Sequence, residues 1–255
     1  MERYQHEKLY GTAGLVGQGT SAEIISKKWG LSREQLDEFS VGSHKKAAIA
    51  TEKGWFKNEI VPVEIKHDDG RTETMHHDEG IRPDSSVAKL ASLAPAFDEK
   101  GVITAGNSSQ ITDGSAAILI MERKRAEQLG LKPRARFHAF ALGTCDPVIM
   151  LTAPIPATQA IFKRSGMNLN QIDAVEINEA FAPVVLAWAK EFGADMSKVN
   201  PNGGAIALGH PLGASGARLM TTLLNQLERT KGRYGLQTMC EGGGMANATI
   251  IERLS

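Results

Sequence analysis

Residues 172–193 read Ile172-Asp173-Ala174-Val175-Glu176-Ile177-Asn178-Glu179-Ala180-Phe181-Ala182-Pro183-Val184-Val185-Leu186-Ala187-Trp188-Ala189-Lys190-Glu191-Phe192-Gly193. The stretch Ile172–Ile177 has the apolar character of a buried strand. Phe181, Val184, Val185 and Trp188 fall on one face of a helix, and Gly193 is its stop signal. A strand feeding a helix through a short polar junction is the unit of an α/β layered domain. The same alternation continues on both sides. Upstream, Arg136 to Leu142 is a strand candidate and Ala157 to Ser165 a helix ending at Gly166. Downstream, Met220, Leu223, Leu224 and Leu227 mark a helix that stops near Gly232. Leu236 to Cys240 and Ala246 to Glu252 then read as paired strands about Gly242-Gly243-Gly244.

Further out, the first hundred residues have a different texture. Residues 11–19 form a glycine-rich loop. Thr20 with Glu23 and Ser32 with Gln35 are spaced as capping boxes, each heading an amphipathic helix. Ile60 to Ile65 is a short strand, with Pro62 pointing to a sheet edge. His67 to Ser86 is a polar loop or hairpin. Val102 to Asn107 reads as a strand running into a turn. Ala116 to Met121 is a continuous apolar run expected to be a doubly covered strand, followed by a helix over Glu122 to Leu129. The division this implies is a first region over 1–103, a connecting piece over 104–130, and an α/β domain over 131–255.

Bulk composition narrows the function classes. Of 255 residues, 42% are hydrophobic, enough for a substantial core. Lysine plus arginine equals 29, as does aspartate plus glutamate. A net charge of zero gives no global pull toward nucleic acid or an anionic membrane. No apolar run is long enough to span a bilayer. The polar start, Met1 to Tyr10, is not that of a signal peptide. The two cysteines, Cys145 and Cys240, form no close-spaced pair, which favours a reducing compartment, the cytoplasm, over a secreted disulfide scaffold. His67, Asp68, Asp69, His76, His77 and Asp78 cluster in a polar loop, a weak metal-site pattern and more commonly a solvated one.

Three segments carry chemistry. The first is Asn178-Glu179-Ala180-Phe181-Ala182. The second is Gly203-Gly204-Ala205-Ile206-Ala207-Leu208-Gly209-His210-Pro211-Leu212-Gly213-Ala214-Ser215-Gly216, and the third is Cys240-Glu241-Gly242-Gly243-Gly244. His210 lies among glycines just ahead of a helix. Glycines allow close backbone approach, the helix start offers free N–H groups, and histidine moves protons near neutral pH. The competing reading is a core histidine in a tight turn. Cys240 is either a small buried hydrophobe or a thiol placed beside exposed backbone N–H groups. Asn178 is positioned to be a helix N-cap, a role that does not exclude a second one.

In this order the three segments resemble the thiolases. So do Ser32-Arg33-Glu34-Gln35, Asn58-Glu59-Ile60-Val61-Pro62-Val63, Pro95-Ala96-Phe97-Asp98 and Thr104-Ala105-Gly106-Asn107. The resemblance implies a layered α/β/α thiolase-like fold, its N-terminal half incomplete, with an inserted loop domain. It implies acyl exchange between a cysteine and coenzyme A, by cleavage of a 3-ketoacyl-CoA or the reverse Claisen condensation, as in fatty acid β-oxidation. No permanently bound cofactor is implied, since coenzyme A and acyl-CoA are substrates, and the complete protein is expected to be a homo-oligomer.

By resemblance, His210 activates the nucleophilic cysteine, Asn178 holds an oxyanion-site water, Cys240 moves a proton at the substrate α-carbon, and the Gly242 N–H donates to a second oxyanion hole. Ser109, Ala105 and Phe97 match positions lining a pantetheine channel, Arg82 one suited to a CoA phosphate, and Phe181 one near the thioester. Plain core packing is the alternative for Phe97 and Phe181. The family's acyl-accepting cysteine precedes the loop domain, and neither cysteine here matches its motif. The expectation is therefore that this polypeptide alone forms no acyl-enzyme. Cys240 argues against the related ketoacyl synthases, and Asn-Glu-Ala-Phe against a sterol-carrier-type thiolase. A CoA-binding or assembly subunit that partners a complete thiolase is the non-catalytic alternative.

Overall fold

The computed structural model describes residues 14–254. Its centre is a four-stranded sheet in the order β3–β6–β5–β4, with β3 Ala135–Thr144, β4 Ala174–Ile177, β5 Tyr234–Glu241 and β6 Met245–Arg253. β6 runs antiparallel to both β3 and β5, whereas β4 and β5 are parallel. Helices α5 (Pro154–Ser165) and α6 (Ala182–Phe192) cover one face through Ala157, Ile161, Val185 and Trp188, packed on Val175, Ile177, Leu236 and Ile250. Helix α8 (Ser215–Thr230) covers the other, with Leu223 and Leu227 on Ala174 and Ile251. The result is the α/β/α layering expected from the strand–helix alternation. α5 can come close to β3 because residue 143 is glycine. A Cβ there would lie 2.3 Å from the Ala157 nitrogen.

Before the sheet come α1 (Gln18–Trp29), α2 (Arg33–Glu52), the hairpin β1 (Val63–Lys66) and β2 (Thr72–Met75), the short α3 (Val87–Ala91) and α4 (Arg123–Gln128). The remaining helix, α7 (Ala205–Leu208), is a single turn just before His210. Ile25, Leu36 and Ile103 join Val184, Ala187 and Ile206 in a second core, which fixes α1 and α2 against the sheet domain.

Several local expectations hold and several fail for identifiable reasons. Ser32 and Gln35 make the capping box of α2. Thr20 caps nothing, because α1 already begins at Gln18 behind Gly17. Glu23 is used otherwise: its carboxylate accepts the N–H groups of Val102 and Ile103. That bond, and the box closed by Thr104 and Asn107, turns residues 102–107 into a bend and a 3-10 turn instead of a strand. Residues 116–121 are not a covered strand. No neighbouring strand pairs with them among the described residues, and Leu119 and Ile120 are 77% and 62% exposed. The expected strand near Ile60 starts later, at Val63, and pairs only with β2 across a turn at Gly70. Of the glycine-rich loop over 11–19, residues 11–13 lie outside the described residues.

His44 ties α2 to the loop after β2. It is 5% exposed, and its Nδ1 accepts the Arg82 N–H at 3.1 Å. Burial, and then the charge of Arg82, lowers its pKa from 6.5 to about 4. A depressed histidine pKa makes the unfolded chain bind its proton first, so stability falls as pH drops from 6.5 toward 4. His44→Asn places an amide oxygen near Nδ1 and has no such titration. Its denaturant midpoint is expected to change less than that of the wild type over this interval.

Candidate active site

β4 ends at Ile177, and the next N–H, that of Asn178, donates to Thr238 O on β5 at 3.2 Å. Cys240 lies two residues farther along β5. Asn178 and Cys240 thus sit at the carboxyl ends of the parallel pair, where open α/β sheets usually hold their ligands. Asn178 does not cap α6; Phe181 takes that position, so the N-cap reading of Asn178 fails.

The glycine segment brings His210 to the same edge. Glu179 is the anchor, 1% exposed. It accepts hydrogen bonds from Ser43 Oγ on α2 (2.7 Å), Asn200 Nδ2 (2.8 Å) and Ile206 N (3.1 Å). Gly204 packs so tightly on this carboxylate that a Cβ would stand 2.2 Å from its carbon. Gln110 holds the next stretch. Its Nε2 donates to the carbonyls of Gly80, Ile206 and Ala207, and its own carbonyl accepts the His210 N–H at 3.0 Å. The chain then turns at Gly209, where φ is +85°.

The His210 ring bridges two side chains. Nδ1 lies 2.6 Å from Ser215 Oγ, which donates onward to Pro211 O at 3.0 Å, and Nε2 lies 3.4 Å from Asn178 Nδ2. A hydroxyl has one hydrogen, so with Ser215 donating to Pro211, Nδ1–H donates to Ser215. Nε2 then carries the lone pair and faces the Asn178 amide. Burial, and secondarily the charge of Arg218, lowers the His210 pKa below the usual histidine value. The imidazole is therefore neutral near pH 7 with a basic nitrogen available. Asn178 Oδ1 is buried without a protein partner. A cleft of about 380 Å³ opens between residues 112–116 and 211–214.

Cys240 and Cys145 are both free thiols. Burial pushes Cys240 up to about 12. Cys145 lies against the Met150 carbonyl, Sγ to O 3.4 Å. Gly242 begins the turn between β5 and β6, and Gly243 and Gly244 supply its positive φ angles of 78° and 83°.

The remaining predicted positions fall near this edge in part. Ser109 N donates to Ala180 O at 3.0 Å, joining the 105–110 segment to the junction after Asn178. Ala105 opens the 3-10 turn just before it. Phe97 and Phe181 stack edge to face with centroids 5.9 Å apart. Phe181 is buried in the second core, which fits its packing role, whereas Phe97 is 49% exposed and no core residue. Arg82 is exposed, two residues from the Gly80 carbonyl that Gln110 holds. The acidic and histidine residues of the 67–78 loop do not converge: among the described residues no three such side chains could hold a metal, and His67 faces Glu73 instead. Sequence reading assigned no role to Ser215, Gln110 or Arg218. Ser215 had a usable signal, five residues after His210 in the same motif. Gln110 had none, because its partners are remote in sequence, and Arg218 has no direct partner to betray it.

The chain is similar to known proteins along most of its length. The model of the thiolase N-terminal domain matches residues 6–124 and that of the thiolase C-terminal domain residues 131–253. The steroid 3-ketoacyl-CoA thiolase FadA6 of Mycobacterium tuberculosis is 54% identical over 239 residues, covering 94% of this chain and 57% of the relative. A 3-ketoacyl-CoA thiolase of Vibrio vulnificus is 50% identical over 245 residues, covering 94% and 63%. Among solved structures, the Bacillus anthracis acetyl-CoA acetyltransferase superposes with a TM-score of 0.91 at 38% identity, covering 95% of this chain and 61% of that one. Human mitochondrial 3-ketoacyl-CoA thiolase in complex with CoA gives 0.84 at 36%, covering 92% and 58%. The chain spans about three fifths of the length of these proteins. With both domain models matched in order over nearly its whole length, the chain belongs to the thiolase family.

Proposed function

We propose that these residues supply the proton-transfer half of an acyl-CoA C-acyltransferase site, for thiolytic cleavage of a 3-ketoacyl-CoA or the reverse condensation. The observation that carries this reading is the neutral His210 ring, held by Ser215 and presenting Nε2 beside Asn178. Nε2 accepts the proton of an acyl-accepting thiol. Asn178 Oδ1, buried and unpartnered, holds a water at the thioester oxygen. Cys240 serves the α-carbon. A thiol pushed up to about 12 keeps its proton until a strongly basic enolate forms, and then donates it; in condensation the thiolate removes it. The Gly242 N–H stabilises the oxygen on which that charge develops.

The acyl-accepting thiol comes from outside these 255 residues. Cys240 is assigned to the α-carbon, and Cys145 is engaged with the Met150 carbonyl. Residues 1–103, as a loop domain, serve CoA, with Phe97, Ala105 and Ser109 along the pantetheine, Arg82 at a phosphate and Phe181 near the thioester. CoA and acyl-CoA enter and leave as substrates, with no resident cofactor. The exposed Leu119 and Ile120, and Phe140 and Leu142 on β3, support burial of these segments against further thiolase polypeptide, as in a homo-oligomer. Two free cysteines support work in a reducing compartment such as the cytoplasm.

Calorimetry with CoA tests the binding part. Saturable binding that weakens in Phe97→Ala is expected. Absence of binding at millimolar CoA would remove the channel assignment. CoA binding that never leads to thiolysis, even with a thiolase N-terminal segment added, would favour the assembly-subunit reading.

A further inference from the structure

Seven of the eight buried side-chain polar atoms without a protein partner, among the described residues, belong to four residues: Glu59, Glu176, Asn178 and Arg218. They follow one interface. Ala174, Glu176 and Asn178 alternate onto the face of β4 that packs on α8. At one end Ala174 meets Leu223 and Leu227; at the other Asn178 meets His210, whose ring holds Ser215, the first residue of α8. Between these ends Glu176 is 0% exposed with both oxygens unpartnered, and all three guanidinium nitrogens of Arg218 are likewise unpartnered. Glu59 reaches in from the loop after α2. One of its oxygens accepts the Thr222 hydroxyl of α8 at 2.8 Å and the other has no partner.

Charges left buried without direct partners cost far more than a fold tolerates, so interior water bridges them. The charges are also unequal. Arg218 acts on Glu59, Asp78, Glu176 and His210, which makes it the one guanidinium shared by three carboxylates. Lys46, Arg134, His77 and Glu179 exert weaker influence from α2, the β3 approach, the β2 loop and the β4–α6 junction. Carboxylates that outnumber the guanidinium beside them favour keeping a proton among them.

We propose that Glu59, Glu176 and Arg218 enclose a hydrated chamber that stores a proton directly behind the Asn178–His210 pair, with Arg218 as a positioning residue for the imidazole. The stored proton resides on Glu176 and Glu59, whose burial raises them to about 8 and about 7. Water joins them to the unpartnered Asn178 oxygen. The link to catalysis rests on the function proposed above; the chamber and its proton do not.

The test is infrared spectroscopy of the folded chain between pH 5 and pH 9, in wild type, Glu176→Gln and Glu59→Gln, with folding checked by circular dichroism. A protonated-carboxyl band that persists at pH 6 in wild type and loses intensity in each variant is expected. Absence of that band at pH 6, or a band unchanged in both variants, would overturn the stored proton. The positioning role is read from the His210 ring by NMR titration. Its midpoint should rise in Arg218→Met and return toward wild type in Arg218→Lys, and an unshifted midpoint in Arg218→Met would remove it. If Arg218→Met does not fold, Arg218→Gln supplies the titration: a raised midpoint supports the role, and an unshifted one refutes it. Failure of thiolysis with an intact band would sink the catalytic reading and leave the chamber standing.

Discussion

Replacing Glu179 with alanine is expected to lower the unfolding free energy by roughly 3–5 kcal/mol, since each of three buried donors left without an acceptor costs about 1–3 kcal/mol, part of it recovered by relaxation. The carboxylate is the common acceptor for α2, through Ser43, and for the glycine segment, through Asn200 and Ile206. Its loss strands three donors. Ser43 Oγ also accepts the Gly204 N–H, so the loop loses that second tether when the hydroxyl reorients. Asn200, held at a φ of +42° while pairing with both backbone groups of Ile177, loses one of its restraints as well. Glutamine does not rescue the site, because its NH2 group faces donors. Urea denaturation checks this against the exposed Glu52→Ala, which should change stability by no more than about 0.5 kcal/mol.

Thiolysis by the chain joined to the N-terminal segment of a thiolase is expected to fall about 10²–10⁴-fold in His210→Ala, the range typical of a lost general base. The loss should lie in kcat, with CoA affinity nearly intact, because the residues proposed to line the CoA site are on other segments. The acidic limb of the wild-type profile should lie below pH 6.5, since burial and Arg218 depress the His210 pKa, and a histidine with a lowered pKa stays a base to lower pH. A KM effect as large as the kcat effect would assign the ring to substrate binding instead.

Much of the fold and the heart of the candidate site were legible in residue order. The sheet domain could be read because β4, β5 and most of β6 are covered within the chain, so apolar runs and glycine stops map directly onto elements such as β5, β6 and α6. Residues 116–121 misled for the same reason in reverse. Their run asks for neighbouring strands, and none pairs with them among the described residues. Residues 102–107 misled because a remote group, Glu23, competes for the N–H groups a strand would have used. At the site, His210 and Asn178 were marked by their motifs, and the ring geometry adds the tautomer and Ser215. Arg218, Glu176 and Glu59 were illegible because their significance lies in partners they lack, which only packing reveals.

The most direct test of the account is to incubate residues 1–255 with a 3-ketoacyl-CoA and CoA, alone and with the N-terminal segment of a thiolase, measuring thiolysis and protein mass together. The account predicts no turnover and no acyl adduct on Cys145 or Cys240 for the chain alone. Turnover should appear when the segment is added and should require His210. Turnover by the chain alone, or an acyl adduct on either cysteine, would contradict it.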